Sequence, residues 1–136
     1  MKTKRITVET GHERRIVDLT REVEAFVKSE DDGLLNIFLP HATAGLVLLE
    51  LGSGSESDLF DRLDELLPRE DIYSHRHGAK GHGADHLLPA FVSPSLTVPV
   101  VGGKAVLGTW QSIALVDTNV DNPRREVLFT FIESHD

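Results

Sequence analysis

Four of this chain's seven histidines fall in one short stretch, Tyr73-Ser74-His75-Arg76-His77-Gly78-Ala79-Lys80-Gly81-His82-Gly83-Ala84-Asp85-His86. Imidazole is the commonest metal ligand and the side chain that titrates nearest neutrality. Rings packed this densely imply a site for a metal ion or an anion. The competing reading is a solvated loop, because the stretch has almost no apolar residues and its glycines cost backbone entropy. His75 and His77 form an HxH pair that shares a face on an extended backbone. His82 and His86 have the i, i+4 spacing that aligns two rings on a helix, although the glycines around them weaken a helix there. A compact site draws ligands from more than one element, and His41, beside Pro40 at the end of an apolar run, is the natural further ligand. An all-imidazole set suits zinc, nickel, copper or iron, and a catalytic zinc keeps one position open for water or substrate. No HExxH motif fixes the spacing.

Carboxylates can complete such a site. Glu50 closes the apolar run that begins just after His41, and Asp85 flanks His86. For Glu50 an exposed strand end competes with a functional acid. Gly108-Thr109-Trp110-Gln111 holds the single tryptophan. A tryptophan at a strand start packs in a core or an interface, while Thr109 and Gln111 can offer donors to a polar substrate. Gly52-Ser53-Gly54-Ser55 reads as a linker whose amides, at a helix N-terminus, can cradle an anion. There is no G-x-S-x-G elbow, no P-loop and no dinucleotide fingerprint. The absence of cysteine excludes disulfides, zinc-thiolate sites and thiol nucleophiles.

The elements that must position these residues follow from periodicity. Ile6 and Val8 alternate with Arg5 and Thr7, a half-buried strand over 3–9, and 14–19 returns as a second strand to make a hairpin. Leu19, Val23, Phe26 and Val27 fall on one helical face, with Thr20 as N-cap. Residues 34–39 and 44–51 are dense apolar strands, central in a sheet or a sandwich core. Leu59, Phe60, Leu63, Leu66 and Leu67 mark an amphipathic helix that Pro68 stops. Asp85 can N-cap a short turn through Leu88. Residues 95–101 form a strand in which Pro99 indicates an edge or a bulge. Gly102-Gly103 is a hairpin signal, and 110–116 and 126–132 are further strands. Many strands, two good helices and mostly hairpin connections give an α+β fold rather than a doubly wound sheet.

With 136 residues the chain fits one domain over 1–136. A formal net charge of −8 argues against a nucleic-acid partner, which needs clustered cations to neutralise phosphate. No apolar run reaches membrane-spanning length and the N-terminus has no leader pattern, so no membrane partner is expected and the expected setting is the cytoplasm.

Several blocks together resemble the YjbQ family. His41-Ala42-Thr43-Ala44-Gly45 resembles that family's histidine turn, and Glu50 falls where the family has an acid. Tyr73-x-His75 followed by His86 resembles its paired histidines. The segment from Pro94 to Val100, then Gly102-Gly103-Lys104 and Leu107-Gly108-Thr109-Trp110-Gln111, is similar to its most recognisable block, and Pro123-Arg124-Arg125 also fits. The resemblance covers nearly the whole chain. It implies a β-sandwich-like α+β domain of mixed, mostly antiparallel sheets with two main helices, assembling as a homotrimer. It also implies a site on His41, His75 and His86 for a divalent metal or an anion, near a subunit boundary. Family members are described as weak, secondary thiamine-phosphate synthases. Where many members carry an acidic pair, this chain has Gly81 and His82, which favours zinc over magnesium.

Two functions are therefore expected. One is a metal-dependent enzyme acting on a small phosphorylated metabolite. His41, His75 and His86 would hold zinc, with magnesium as the alternative, Glu50 or Asp85 would orient ligands or act as base, and Thr43 and Gln111 would bind substrate. The other is a non-catalytic trimeric module that binds a metal or an anionic metabolite. His77 and His82 rank second, as outer ligands or loop surface.

Overall fold

The computed structural model describes residues 1–70, 72–75 and 80–135. Strands β1 (Lys2–Glu9), β3 (Gly33–Phe38), β5 (Ser95–Val101), β6 (Lys104–Ala105) and β8 (Arg124–Glu133) form one sheet in the order β1-β8-β3-β5-β6. Strands β2 (Arg15–Asp18), β4 (Ala44–Leu49) and β7 (Ser112–Asp117) form a second, ordered β2-β7-β4. The strand pairs of both sheets are antiparallel. The architecture is the expected α+β, but its connections are not mostly hairpins. β1 and β2 lie in different sheets, Ile6 opposite Val127 and Ile16 opposite Val116. The switch is made at Thr10 and Gly11, whose N–H groups donate to the Pro123 carbonyl at 2.8 and 3.1 Å, with Gly11 in the left-handed region. Of the strand pairs, only β5–β6 is a tight hairpin, turning on Gly102 and Gly103 at positive φ.

The main core lies between the sheets. The inward residues Leu35, Ile37, Val127, Phe129 and Phe131 meet Leu46, Ile113 and Leu115, and helix α1 (Thr20–Val27) adds Val23, Phe26 and Val27. Leu19, not Thr20, is the residue before the first helical turn, and the Thr20 hydroxyl instead accepts the Ile113 N–H at 2.9 Å. A tertiary hydrogen bond has taken the oxygen that an N-cap would use. The other face of the small sheet carries a second core. Val116, Val47 and Ile16 pack there against Leu63 and Leu67 of helix α2 (Ser55–Leu66) and its C-cap, and against Ala84 and Leu88 of helix α3 (His82–Phe91). β7 is buried on both sides, which explains its unbroken apolar run. β4 comes so close to the end of α3 that a Cβ on Gly45 would collide with the Val92 carbonyl.

Other sequence expectations shift. α3 is a ten-residue helix rather than a short turn, and it contains Pro89. Pro89 has no N–H to give the Asp85 carbonyl, so the helix forgoes that one backbone bond. Of the two expectations for Trp110, core or interface, the core is ruled out: it is 72% exposed on the turn before β7. Pro99 does sit in β5, where the two-residue β6 pairs only with Val100 and Val101. The outer face of the large sheet is uncovered and shows Leu34, Phe38, Val101 and Ile132. No helix among the described residues is long and apolar enough to cross a membrane.

Candidate functional site

The glycines of the histidine stretch build the site rather than dissolve it. Gly81 precedes α3 at φ 87°, a left-handed conformation that favours glycine, and a Cβ there would run into the Arg69 guanidinium. Gly83 lies in the first turn, where a Cβ would stand 2.6 Å from the His75 carbonyl and 2.7 Å from the Tyr73 side chain. Its bare Cα lets the 73–75 segment lie directly on the helix. Tyr73 anchors that segment by donating its hydroxyl to the Pro68 carbonyl at 2.6 Å, and burial pushes its pKa up.

His75 is thereby set against His82 and His86, which do sit one turn apart on a helix. One donor atom from each of the three lies within 4.8 Å of the others. His75 Nε2 and His82 Nε2 are 2.7 Å apart, and the ring centroids are 4.0 to 4.6 Å apart. Two ring nitrogens at that distance share one proton. His86 Nδ1 donates to the His82 carbonyl at 2.9 Å, which leaves the Nε2 of His86 as a lone pair. The set fits a tetrahedral ion: it offers three imidazoles, and nitrogen–nitrogen spacings of about 3.3 Å follow from zinc–nitrogen bonds of about 2.0 Å. The His75–His82 pair has to open by a fraction of an ångström, and the proton between the two Nε2 atoms has to move to the Nδ1 of its own ring. Beside the cluster lies a cleft of ≈ 310 Å³ lined by Tyr73, Ser74, His75, Gly83, His86 and Leu87.

The structure thus joins His75 to His86, adds the second-ranked His82, and leaves His41 out of the group. His77 lies outside the described residues. The signal for His82 was its i, i+4 spacing from His86.

Asp85 is 2% exposed, and its oxygens are spoken for. Oδ1 accepts from Arg69 Nη1 and the Thr118 hydroxyl, both at 2.7 Å, and Oδ2 from Asn119 Nδ2 at 3.1 Å and Arg69 Nη2 at 3.2 Å. The carboxylate in turn raises the Arg69 pKa, chiefly through that hydrogen bond. An acid held by four donors anchors α3 and has no lone pair placed to act as base. The network continues: Asn119 N–H donates to Asp117 Oδ1 at 2.9 Å, and Arg125 grips Asp117 through Nε at 2.7 Å and Nη2 at 3.0 Å. Arg125 Nη2 also donates to the Thr43 hydroxyl at 2.8 Å. Arg69, Thr118 and Asn119 carried no functional signal in the sequence, where Thr118 and Asn119 read only as part of a loop over 117–124.

The remaining expected residues stand apart from the cleft. Thr43 is buried on Arg125, Glu50 is exposed after β4, and Gln111 Oε1 accepts the Gly108 N–H at 2.7 Å and so holds its own turn. Gly52, expected to help cradle an anion, donates its N–H to the Glu56 carboxylate at 3.1 and 3.2 Å. His41 is half-buried, and its Nε2 accepts the Glu126 N–H at 2.8 Å. Its proton is therefore on Nδ1. Burial first, and then the Arg125 charge, lower its pKa below the ordinary 6.5. Between the folded pKa and 6.5 the unfolded chain binds the extra proton, so stability rises with pH across that window and is lost as pH falls through it. In urea titrations from about pH 5 to 7, His41→Gln is expected to flatten that part of the wild-type profile. Parallel profiles would show that His41 is not the group responsible.

Residues 4–134 match the family described as UPF0047 protein YjbQ-like. The UPF0047 protein Rv2556c of Mycobacterium tuberculosis is 62% identical over 133 residues, covering 98% of this chain and 99% of that one. YugU of Bacillus subtilis is 33% identical over 129 residues, 93% of this chain and 95% of its own. A solved YbjQ-like protein of unknown function from Sulfolobus solfataricus superposes with a TM-score of 0.90 at 27% identity, covering 98% of this chain and 97% of that one. On this agreement of sequence and fold, the chain belongs to the YjbQ/UPF0047 family.

Proposed function

We propose that the chain is a zinc-dependent enzyme that handles a small phosphorylated metabolite in the cleft beside His75, His82 and His86. The observation that carries this reading is the convergence of three imidazole donor atoms within 4.8 Å at the edge of a ≈ 310 Å³ cleft. Neutral nitrogen donors suit zinc, whereas magnesium needs oxygen ligands, and Asp85, the acid nearest in sequence, is consumed by Arg69, Thr118 and Asn119. Zinc supplies Lewis acidity toward a phosphoryl oxygen or a water. The chain's own contribution is positional. Gly83 seats the 73–75 segment, the His82 carbonyl fixes the His86 tautomer, and Tyr73 and Leu87 give the cleft apolar walls. Thiamine-phosphate synthesis belongs to this reading as a weak side activity, and the cytoplasm as its setting.

One observation favours a second reading. Asp85 is saturated and Glu50 lies apart from the cleft, so neither expected acid serves it as a base. A trimeric module that binds a metal or an anionic metabolite without turnover uses the same geometry. The exposed Leu34, Phe38, Val101 and Ile132 on the large sheet support self-assembly in either case. The test is phosphate or pyrophosphate release from a panel of phosphorylated metabolites with zinc, magnesium or neither. The panel includes a pyrimidine diphosphate with a thiazole phosphate, and the same samples are sedimented for a particle of three times 15.0 kDa. Zinc-dependent release is the expected result. Binding without release under every metal condition selects the second reading.

A further inference from the structure

The short connection from Thr118 to Asn122 lies against the first turn of α3. It is shaped by Asn119, whose Oδ1 accepts the N–H groups of Asp121 at 2.9 Å and Asn122 at 3.1 Å. The same side chain donates from Nδ2 to Asp85 Oδ2 at 3.1 Å, and the neighbouring Thr118 hydroxyl reaches Asp85 Oδ1 at 2.7 Å. The loop is thus fastened to the helix two residues before Asp121. That fastening brings Asp121 Oδ2 to 3.9 Å from His82 Nδ1, on the side of the ring opposite the nitrogen that faces His75. A gap of 3.9 Å is beyond a direct hydrogen bond and within the reach of one bridging water or a small ring movement.

We infer that Asp121 is the outer carboxylate that positions His82 for a metal ion held by His75, His82 and His86. The inference rests on the zinc reading above. A ligating histidine almost always gives its second ring N–H to a carboxylate or carbonyl, which fixes the tautomer and raises the basicity of the ligating nitrogen. His86 has such a partner in the His82 carbonyl. For His82 the corresponding position is taken by Asp121. Asp85, the other acid on this loop–helix contact, has its charge matched by Arg69 at 2.7 Å. Of the two described acids at this contact, Asp121 is therefore the one whose negative charge remains to offset a divalent cation on three neutral rings. Its side chain is 45% exposed, so its removal leaves the packing of the fold intact.

The test is the zinc dissociation constant, by competition with a chromophoric chelator, for the wild type, Asp121→Ala and Asp121→Asn, beside the urea midpoint of each metal-free protein. Asp121→Ala is expected to weaken zinc by about 10- to 100-fold. Asp121→Asn keeps an acceptor oxygen and should recover part of that loss, with all three metal-free midpoints alike. The visible spectrum of the cobalt-loaded protein should shift in Asp121→Ala, because the His82 ring is no longer held. Wild-type zinc binding with an unchanged constant in Asp121→Ala overturns the role of Asp121 alone. A fall in the metal-free midpoint that matches the lost affinity assigns Asp121 a structural role and also overturns the inference. A wild type that binds no zinc removes the site and Asp121 together.

Discussion

Arg125→Met is expected to cost about 3–5 kcal/mol of unfolding free energy, while Arg124→Met, one residue away, should change it by less than about 0.5 kcal/mol. Arg125 and Asp117 are 1% and 0% exposed, and their two-pronged contact lies where β7 and β8 leave the sandwich. Removing the guanidinium strands a buried carboxylate with, among the described residues, the Asn119 N–H alone, and deprives the buried Thr43 hydroxyl of its donor. Arg124 pairs with Glu9 at 3.0 Å, but both side chains are mostly exposed, so water replaces the partner at little cost. Against a typical domain stability of about 5–15 kcal/mol, the first substitution removes a large share. Urea denaturation of the two variants decides it. Equal midpoints would show that the buried pair is not what secures this end of the molecule.

The second large effect concerns the metal. His82→Ala should lose stoichiometric zinc, with affinity falling by more than the roughly 100-fold that bounds outer partners, because one of three donors is gone. His41→Ala should retain zinc fully. Its ring is tied to the Glu126 N–H through Nε2 and carries its proton on Nδ1, so in this tautomer neither nitrogen offers a lone pair to an ion. Metal analysis after dialysis, with competition titration, separates the two variants. Zinc held by His82→Ala, or lost from His41→Ala, would overturn the three-histidine assignment.

Local features were readable from the residues; partners distant along the chain were not. The alternation of Ile6 and Val8 marked β1, and the leucine spacing from Leu59 to Leu67 marked α2, because both signals are periodic within one element. The assignment of β1 and β2 to different sheets depends on Pro123 receiving Thr10 and Gly11 from across the chain, which no local pattern encodes. His82 was undervalued for a related reason. Glycine lowers intrinsic helix propensity, but at Gly81 and Gly83 the tertiary demand for a left-handed turn and for a close approach by Tyr73 outweighs that cost. Asp85 read as a spare acid because its donors, Arg69, Thr118 and Asn119, lie 16, 33 and 34 residues away. Trp110 read as core or interface because its type usually is; it lies outside the core of the chain, on a turn that Gln111 and Gly108 close between themselves.

The position of β8 has a consequence for how the molecule is made. It is the last strand in sequence, yet it lies between β1 and β3 and donates Val127, Phe129 and Phe131 to the main core. Until residues 124–133 have been synthesised, β1 has no neighbour in its sheet and the large hydrophobic face stays open. A nascent chain growing at about 5–20 residues per second therefore carries unpaired strand edges until residues 124–133 have been made, and only then closes its longest-range pairing, β1 with β8. The large sheet cannot close before β8 is made, and a chain cut before β8 is a substrate for chaperones and proteases rather than a smaller version of the protein.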